Sequence, residues 1–598
     1  MRFGFSLGLI KASDKNNLAA HPQGARGTNM VSSFLPTPQT GAEALLSGLK
    51  ANGIDYLFAN AGTDFPPVIE ALAALPASVM PTPITVPHET AAVAMAHGYY
   101  LATGRPQAVM VHVNVGLANA VMGVLNAASD NVPLVMMSGR TPLTETGRKG
   151  GRVSPIQYGQ EMFDQTALVR EAVKFDYEMR YPEQGGALAA RAVSIAMSEP
   201  RGPVYLSLPR EPLMERIDED RPADLSPRPA ALPAAPDAAA VAKAAAMLSA
   251  ARQPLVICQR GDTEGRLGAA LSDLGVRHGV GTVEPFVVRN LLASDDPAML
   301  GYSPVLGRDA DVILVVDSSV PWIESQHAPA PDAHIIHIGS DPTFARMPMR
   351  GYRSDLSITG DPAATVSAIA DAMTTAKAEL ATRKASLSDR QNKRRAAMAQ
   401  TIETAQTSDP MGSEWVSHCL SEVMDEDAVI FSELGLVPGA MRIKGANRLF
   451  SNPHSGGLGW AFPAALGAQL ARPGKLTIAA MGDGSYIFAN PVACHQLAEA
   501  LGLPILIVVK NNASWNAVRR SVVGSFPDGA AVKANTMPLT SLSPVPDFAG
   551  IATASRAYAE RVNQAEDLPD ALQRALSAIR SEGRAALLDV RVAVSDAH

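Results

Sequence analysis

Two short segments near the C-terminal end carry residue types that could hold a phosphorylated ligand through a metal ion. In Met481-Gly-Asp-Gly-Ser485 an apolar run ends and a helical pattern opens. Gly482 and Gly484 let the backbone approach a ligand closely, and a helix starting at Ser485 offers N–H groups to an anion. Asp483 between them is a hard carboxylate suited to Mg²⁺ or Ca²⁺. Alone, the same residues describe an ordinary strand-to-helix turn. Twenty-six residues after Gly484, however, the next apolar run ends in Lys510-Asn-Asn512-Ala-Ser514. On adjacent parallel strands Asp483 and Asn512 would stand side by side. The carboxylate, the Asn512 amide oxygen and the Ser514 carbonyl would then leave the other metal positions to phosphate oxygens and water.

Two further stretches have a bland reading when taken singly. Glu89, in Val86-Pro-His-Glu89-Thr-Ala-Ala-Val-Ala-Met-Ala-His-Gly98-Tyr99 and its continuation Leu101-Ala-Thr-Gly104-Arg105-Pro106, reads as a helix cap. Ser455-Gly-Gly-Leu458-Gly-Trp-Ala-Phe-Pro463-Ala-Ala-Leu-Gly467 reads as a Gly-rich turn before a helix. Taken with Gly-Asp-Gly and Asn-Asn, the set resembles the signature of thiamine-diphosphate enzymes. That resemblance implies thiamine diphosphate and Mg²⁺ as cofactors. It implies that Glu89 hydrogen-bonds the pyrimidine nitrogen, that Leu458 wedges between the cofactor's two rings, and that the Gly456 carbonyl accepts from the exocyclic amine. It places Glu433, Gly435, Gly482, Gly484, Ser485 and Asn512 around the cofactor and makes Asp483, Asn512 and Ser514 the metal ligands. The Gly-Asp-Gly to Asn-Asn spacing is about two residues longer than in the family pattern, with the extra length expected in Phe488-Ala-Asn-Pro491.

The resemblance covers the chain from about residue 40 onward and is closest to the acetolactate synthase and benzoylformate decarboxylase branch. Asn60-Ala-Gly-Thr63, His112-Val-Asn-Val-Gly116-Leu-Ala-Asn119, Val173-Lys-Phe-Asp-Tyr177-Glu and Gly202-Pro-Val-Tyr-Leu-Ser-Leu-Pro209 point to the benzoylformate decarboxylase side. His112 would then relay protons at the reacting carbon, with Thr63 keeping a hydroxyl beside it. Gln160 and Gln165 resemble the acetolactate synthase glutamine region. Trp515 and the 515–535 segment, with Arg519 and Arg520, are further lining candidates. His88 reads as a structural neighbour of Glu89, and His454 as facing either the cofactor or solvent. The implied activity is decarboxylation of a 2-oxo acid, followed by release of an aldehyde or by carboligation. Two alternatives stay open: hydrolysis or cleavage of a C–C bond in a diketone or 2-hydroxyacyl compound, and a non-catalytic member of the family.

These residues need elements to position them. Apolar runs such as Tyr56–Ala59, Ala108–His112, Leu134–Met137, Val204–Leu208, Pro254–Cys258, Val312–Val316, His334–Ile338, Ala428–Phe431, Leu476–Ala480, Ile505–Val509 and Leu587–Val590 alternate with Ala- and Leu-rich helical stretches, including 65–75, 89–103, 116–129 and 185–198. That alternation predicts an α/β protein of three doubly wound parallel-sheet domains. The expected division is a loose tail over 1–38, with Met30 as an alternative start; a pyrimidine-binding domain over 39–212; a Pro/Ala linker over 213–236; a central domain over 237–375; a polar helical linker over 376–412, its charges forming a solvated face; and a diphosphate- and Mg-binding domain over 413–598. The central domain opens Ile257-Cys-Gln-Arg-Gly261, without the Gly-Gly-Gly turn usual in flavin-binding members, which argues against FAD.

Composition bounds the partners. The 598 residues are 47 % hydrophobic and 18 % charged, enough to bury several cores. The net charge of −7, with no basic stripe, argues against nucleic acid. Three scattered cysteines suit reduced thiols in a cytoplasmic protein rather than a disulfide framework or a zinc site. No apolar run approaches the ~20 residues of a membrane span. The family resemblance further implies a homodimer at least, and commonly a tetramer, because the site forms between two chains.

Overall fold

A computed structural model describes residues 37–595; of the expected tail over 1–38, residues 1–36 lie outside them. Three six-stranded, wholly parallel sheets follow one another along the chain. The first contains β1 (Tyr56–Asn60), β2 (Thr82–Thr85), β3 (Ala108–Val111), β4 (Val135–Arg140), β5 (Asp176–Glu178) and β6 (Val204–Pro209), in the order β2-β1-β3-β4-β6-β5. The second contains β7 (Pro254–Cys258), β8 (Gly281–Val283), β9 (Met299–Gly301), β10 (Val312–Val316), β11 (His334–Gly339) and β12 (Leu356–Thr359), in the order β12-β11-β10-β7-β8-β9. The third contains β13 (Val429–Glu433), β14 (Leu449–Ser451), β15 (Thr477–Gly482), β16 (Leu506–Asn511), β17 (Tyr558–Val562) and β18 (Ala586–Arg591), in the order β14-β13-β15-β16-β18-β17. The three doubly wound sheets are those expected from the alternating pattern. The first and third share one strand order; the middle sheet has the order found in dinucleotide folds.

The interior strands read as apolar runs because helices cover both faces of a parallel sheet. β3, β7, β10 and β13 are buried along their whole length. The expected helices form over Pro66–Ala74, Glu89–Thr103, Val113–Ser129 and Gln184–Met197. The polar stretch after the middle sheet forms one helix, Lys377–Thr407. Most of it is solvated, as expected, but Arg383 is not: it is buried and donates to the carbonyls of His278 (3.1 Å), Leu248 (3.2 Å) and Ser249 (3.0 Å). A long aliphatic stem with a fully satisfied guanidinium can be buried at a helix end where carbonyls are in excess. Among the described residues no helix is long and apolar enough to cross a membrane.

A helix crossing joins the first sheet's layer to the third's. The Glu89–Thr103 helix packs on the Ala461–Ala471 helix so closely that only glycine fits at the crossing. A Cβ on Gly98 would lie 1.9 Å from the Ala464 carbonyl oxygen, and one on Gly467 would lie 2.0 Å from that of Met95. Phe431, Phe450, Trp460 and Phe462 close the core beside this crossing, with His97 edge-on to Trp460 at 5.4 Å.

Candidate active site

β15 and β16 are neighbours in parallel register, with Gly482 opposite Lys510. Both strands therefore run out at one edge, and the residues after them meet. The Asn512 N–H donates to Asp483 Oδ2 (3.1 Å) and the Gly484 N–H to Oδ1 (2.8 Å). Asn512 Oδ1 accepts from the Ser514 N–H (3.0 Å), and the Ser514 carbonyl accepts from Asn516 (2.8 Å). Asp483 is 3 % exposed. Burial raises its pKa above the usual carboxylate value, against backbone N–H groups that lower it. A cation beside such a carboxylate would restore its charged form. Around it the backbone leaves room: a Cβ on Gly482, or on Gly456 at φ 72°, would meet nothing within 4 Å. Gly484 differs, because Trp515 lies over it and a Cβ would strike the indole at 2.1 Å. Among the described residues no group of three His, Cys, Asp or Glu side chains could hold a metal ion. One carboxylate and two neutral oxygens could, provided a ligand brought anionic oxygens of its own. The residues present fit Mg²⁺ with a diphosphate.

Glu433 ends β13 and is fully buried. Its carboxylate accepts from the N–H groups of Gly459 (2.6 Å), Trp460 (2.6 Å) and Ala461 (2.8 Å), at the start of the Ala461–Ala471 helix. Expected beside a cofactor, its carboxylate holds this loop in place. Gly435 serves close packing, since a Cβ there would lie 2.2 Å from the Ala480 carbonyl oxygen. The far side of the loop carrying Gly456 and Leu458 is clamped by Asn126, a residue that motif reading passed over. Its Oδ1 accepts from Ser455 Oγ (2.6 Å) and Gly457 N (3.2 Å), and its Nδ2 donates to the Gly457 carbonyl (2.9 Å).

Glu89 opens its helix, capped by His88 Nδ1, which accepts from the Thr90 N–H (3.3 Å). The Glu89 carboxylate is buried and accepts from Asn119 Nδ2 (3.2 Å). A Cβ on Gly116 would stand 3.3 Å from its Oε1, so a small residue there leaves the carboxylate its space.

His112 follows β3 as the cap residue of the Val113–Ser129 helix. Its Nδ1 lies 2.5 Å from Asp64 Oδ1 and its Nε2 3.1 Å from Gln160 Nε2. Asp64 is a buried residue absent from the motif reading. Its hydrogen bond raises the His112 pKa above the ordinary value, burial opposes this, and the charges of Asp64 and Glu89 add to the rise. Thr63 is exposed, one residue before Asp64. Of the two candidate glutamines only Gln160 reaches this cluster. Gln165 is buried beneath β4, donating to Ser138 Oγ (2.8 Å) and the Gly139 carbonyl (2.8 Å).

The other candidates are placed elsewhere. His454 Nε2 lies 2.8 Å from the Phe286 carbonyl, against the middle unit and not over the Gly456 loop. Arg519 pairs with Asn535 Oδ1 (3.1 Å). The helix after Gly-Asp-Gly is interrupted where extra length was expected: Asp483–Phe488 ends, Asn490 turns at φ 53°, and Pro491–Ala500 begins. Beyond β7, where flavin-binding members carry glycines, the Arg260 side chain is buried with its guanidinium 5.0 Å from the Phe344 ring centre. The cavity of about 270 Å³ beside it is lined by Arg289 and Asp317 and includes neither Glu89 nor Asp483.

In a single chain the two groups of residues stand apart. Because Gly98 meets Ala464 and Gly467 meets Met95, the two crossing helices run antiparallel. Glu89 therefore starts its helix at the opposite end from Ala461, roughly 18 Å away along the crossing at 1.5 Å per residue.

Comparison with known proteins follows the same division. Residues 39–168 match the N-terminal TPP binding domain of thiamine pyrophosphate enzymes, 241–369 their central domain and 435–590 their C-terminal TPP binding domain. The chain is 26 % identical over 576 residues to an acetolactate synthase large subunit of Parasynechococcus marenigrum (strain WH8102), covering 93 % of this chain and 88 % of that one. It is 26 % identical over 564 residues to a benzoylformate decarboxylase of Pseudomonas aeruginosa, covering 89 % and 96 %. The fold is that of a solved Rhodococcus jostii RHA1 thiamine diphosphate-dependent 4-hydroxybenzoylformate decarboxylase, with a TM-score of 0.74 and 20 % identity, covering 93 % of this chain and 100 % of that one.

Proposed function

The chain belongs to the thiamine pyrophosphate enzyme family, and from that premise we propose that it decarboxylates a 2-oxo acid with thiamine diphosphate and Mg²⁺, releasing an aldehyde or joining the remaining fragment to a second carbonyl compound. The observation that carries this reading is the presence in one chain of a buried carboxylate, Glu89, and of a buried Asp483 bonded to partly buried Asn512 beside open Gly482. When bound, the cofactor supplies a cationic thiazolium able to take up the electron pair left as CO₂ departs. Asp483, Asn512 and the Ser514 carbonyl would hold the cation, and Gly482 and Ser485 would face the diphosphate. Leu458 and the Gly456 carbonyl would fix the bend between the two rings. Glu89 would hold the proton at the pyrimidine nitrogen, its position set by Asn119 and Gly116. His112, with Thr63 beside it, would orient the substrate carboxylate and move a proton at the reacting carbon.

The antiparallel crossing supports a homodimer as the working unit, with Glu89 from one copy facing Asp483 from another. Cleavage of a diketone or 2-hydroxyacyl compound on the same residues is the second reading. It is favoured by the Asp64–His112–Gln160 cluster, which could serve a water nucleophile as well as a substrate carboxylate. Glu89→Gln decides whether the site is the one described. Turnover should fall by about 10²–10⁴-fold, while Mg²⁺-dependent binding of thiamine diphosphate, followed by calorimetry, stays close to that of the parent. Full activity in this variant would sink the assignment. A panel of 2-oxo acids assayed for CO₂ release, against diketones assayed for acid formation, separates the two reactions.

A further inference from the structure

The turn after β1 holds a carboxylate for which no motif accounts. Asp64 is 3 % exposed and uses both oxygens on the segment that follows β3: Oδ1 meets His112 Nδ1 at 2.5 Å, and Oδ2 accepts from the Val113 N–H at 3.1 Å. Val113 adopts φ 31°, a conformation a β-branched residue takes only when its surroundings impose it. The bond from its N–H to Asp64 is one such constraint.

Two glycines make the arrangement possible. A Cβ on Gly139 would lie 1.6 Å from Asp64 Oδ2, and a Cβ on Gly62 would lie 2.2 Å from the His112 ring. Space is thus left for the carboxylate on one side and for the imidazole on the other. Gln160 completes the line from the far end: its side-chain nitrogen lies 3.1 Å from His112 Nε2.

We infer that Asp64 is a positioning residue for His112: it keeps the proton on Nδ1 and thereby makes Nε2, at Gln160, the nitrogen that gives and takes protons in the reaction. The inference rests on the role given to His112 above and adds the atom through which it acts. A carboxylate behind the imidazole fixes the tautomer and stabilises the imidazolium formed when Nε2 takes a proton. The charged groups acting on the ring are Asp64, from the turn after β1, and Glu89, from the start of its helix; both favour the protonated form. Removing the Asp64 charge must therefore move the His112 titration to lower pH, back towards the ordinary histidine value.

The test is Asp64→Asn, with ¹⁵N-histidine NMR on the full-length holoenzyme. The His112 signals are identified among the 12 histidines by their loss in His112→Gln. In the parent protein the neutral form of His112 should carry its proton on Nδ1 alone. In Asp64→Asn the titration should move to lower pH, and kcat should fall by about 10²-fold with its pH profile shifted the same way. Thiamine diphosphate affinity and the melting curve should stay close to the parent's. A merely structural Asp64 would move the melting curve and leave tautomer and titration unchanged; that result overturns the inference. Should Asp64→Asn not fold, the parent spectrum decides: an Nε2–H tautomer, or a mixture of the two, is equally fatal. The tautomer, titration and melting readouts need no substrate, so they stand apart from the Glu89→Gln test. If Glu89→Gln keeps full activity the site reading fails, whatever His112 does.

Discussion

At the scale of the residue, a missing methyl group is the condition for the Asp64–His112 contact. Gly139 sits in β4, where an alanine methyl would occupy the place of Asp64 Oδ2. Gly139→Ala must turn the carboxylate away or push the strand aside. It should cost about 1–3 kcal/mol of stability and should also lower the pH at which His112 titrates. Denaturant unfolding and histidine NMR read the two effects, and parent-like values in both would contradict the geometry. Glu89, Asp483 and Asn512 were singled out as candidates in the sequence because family motifs surround them. Asp64 was not. An Asp one residue past Gly-Thr reads as a turn former, and its partner is 48 residues away. One trace was Gly139, a glycine inside an apolar strand with no turn of its own to justify it. Glu433 was singled out through the family resemblance, but its bonds to the N–H groups of Gly459, Trp460 and Ala461, 26 to 28 residues away, left no local trace.

At the scale of the element, the interior strands could be read from their apolar runs and the edges could not. β2, β5 and β17 border their sheets, are only partly buried, and lack the continuous hydrophobic stretch that a strand covered on both faces requires. β8 is interior but only three residues long, too short for any periodicity. The helix pair is the element-level feature on which the site depends most. Gly98→Ala and Gly467→Ala each force two backbones apart, and each should cost about 1–3 kcal/mol in denaturant unfolding. Because both glycines lie in one contact, the double variant should cost less than the two single effects added together. Strict additivity would mean that the crossing is not the rigid joint described. The sequence offered both glycines but not their meeting, since a glycine inside a helical pattern is silent about which neighbour comes close.

At the scale of the whole molecule, the prediction concerns two inactive proteins. Glu89→Gln and Asp483→Ala should each be inactive alone. Unfolded together and refolded in equal amounts, they should recover about one quarter of parent activity, because half the pairs are mixed and each mixed pair keeps one intact centre. Sites formed within single chains would recover nothing. Length then has a purpose under the proposed function: the two sets of residues it brings together lie at opposite ends of one crossing within a chain. The repeated strand order carries this further. The first and third sheets answer to one blueprint, and their layers already meet through like-placed helices, each following the second strand of its sheet. A lone chain is in that sense a pair before any partner arrives. In the proposed homodimer a second copy would extend a symmetry the polypeptide has already begun, closing four kindred units into a ring whose seams would hold the proposed sites.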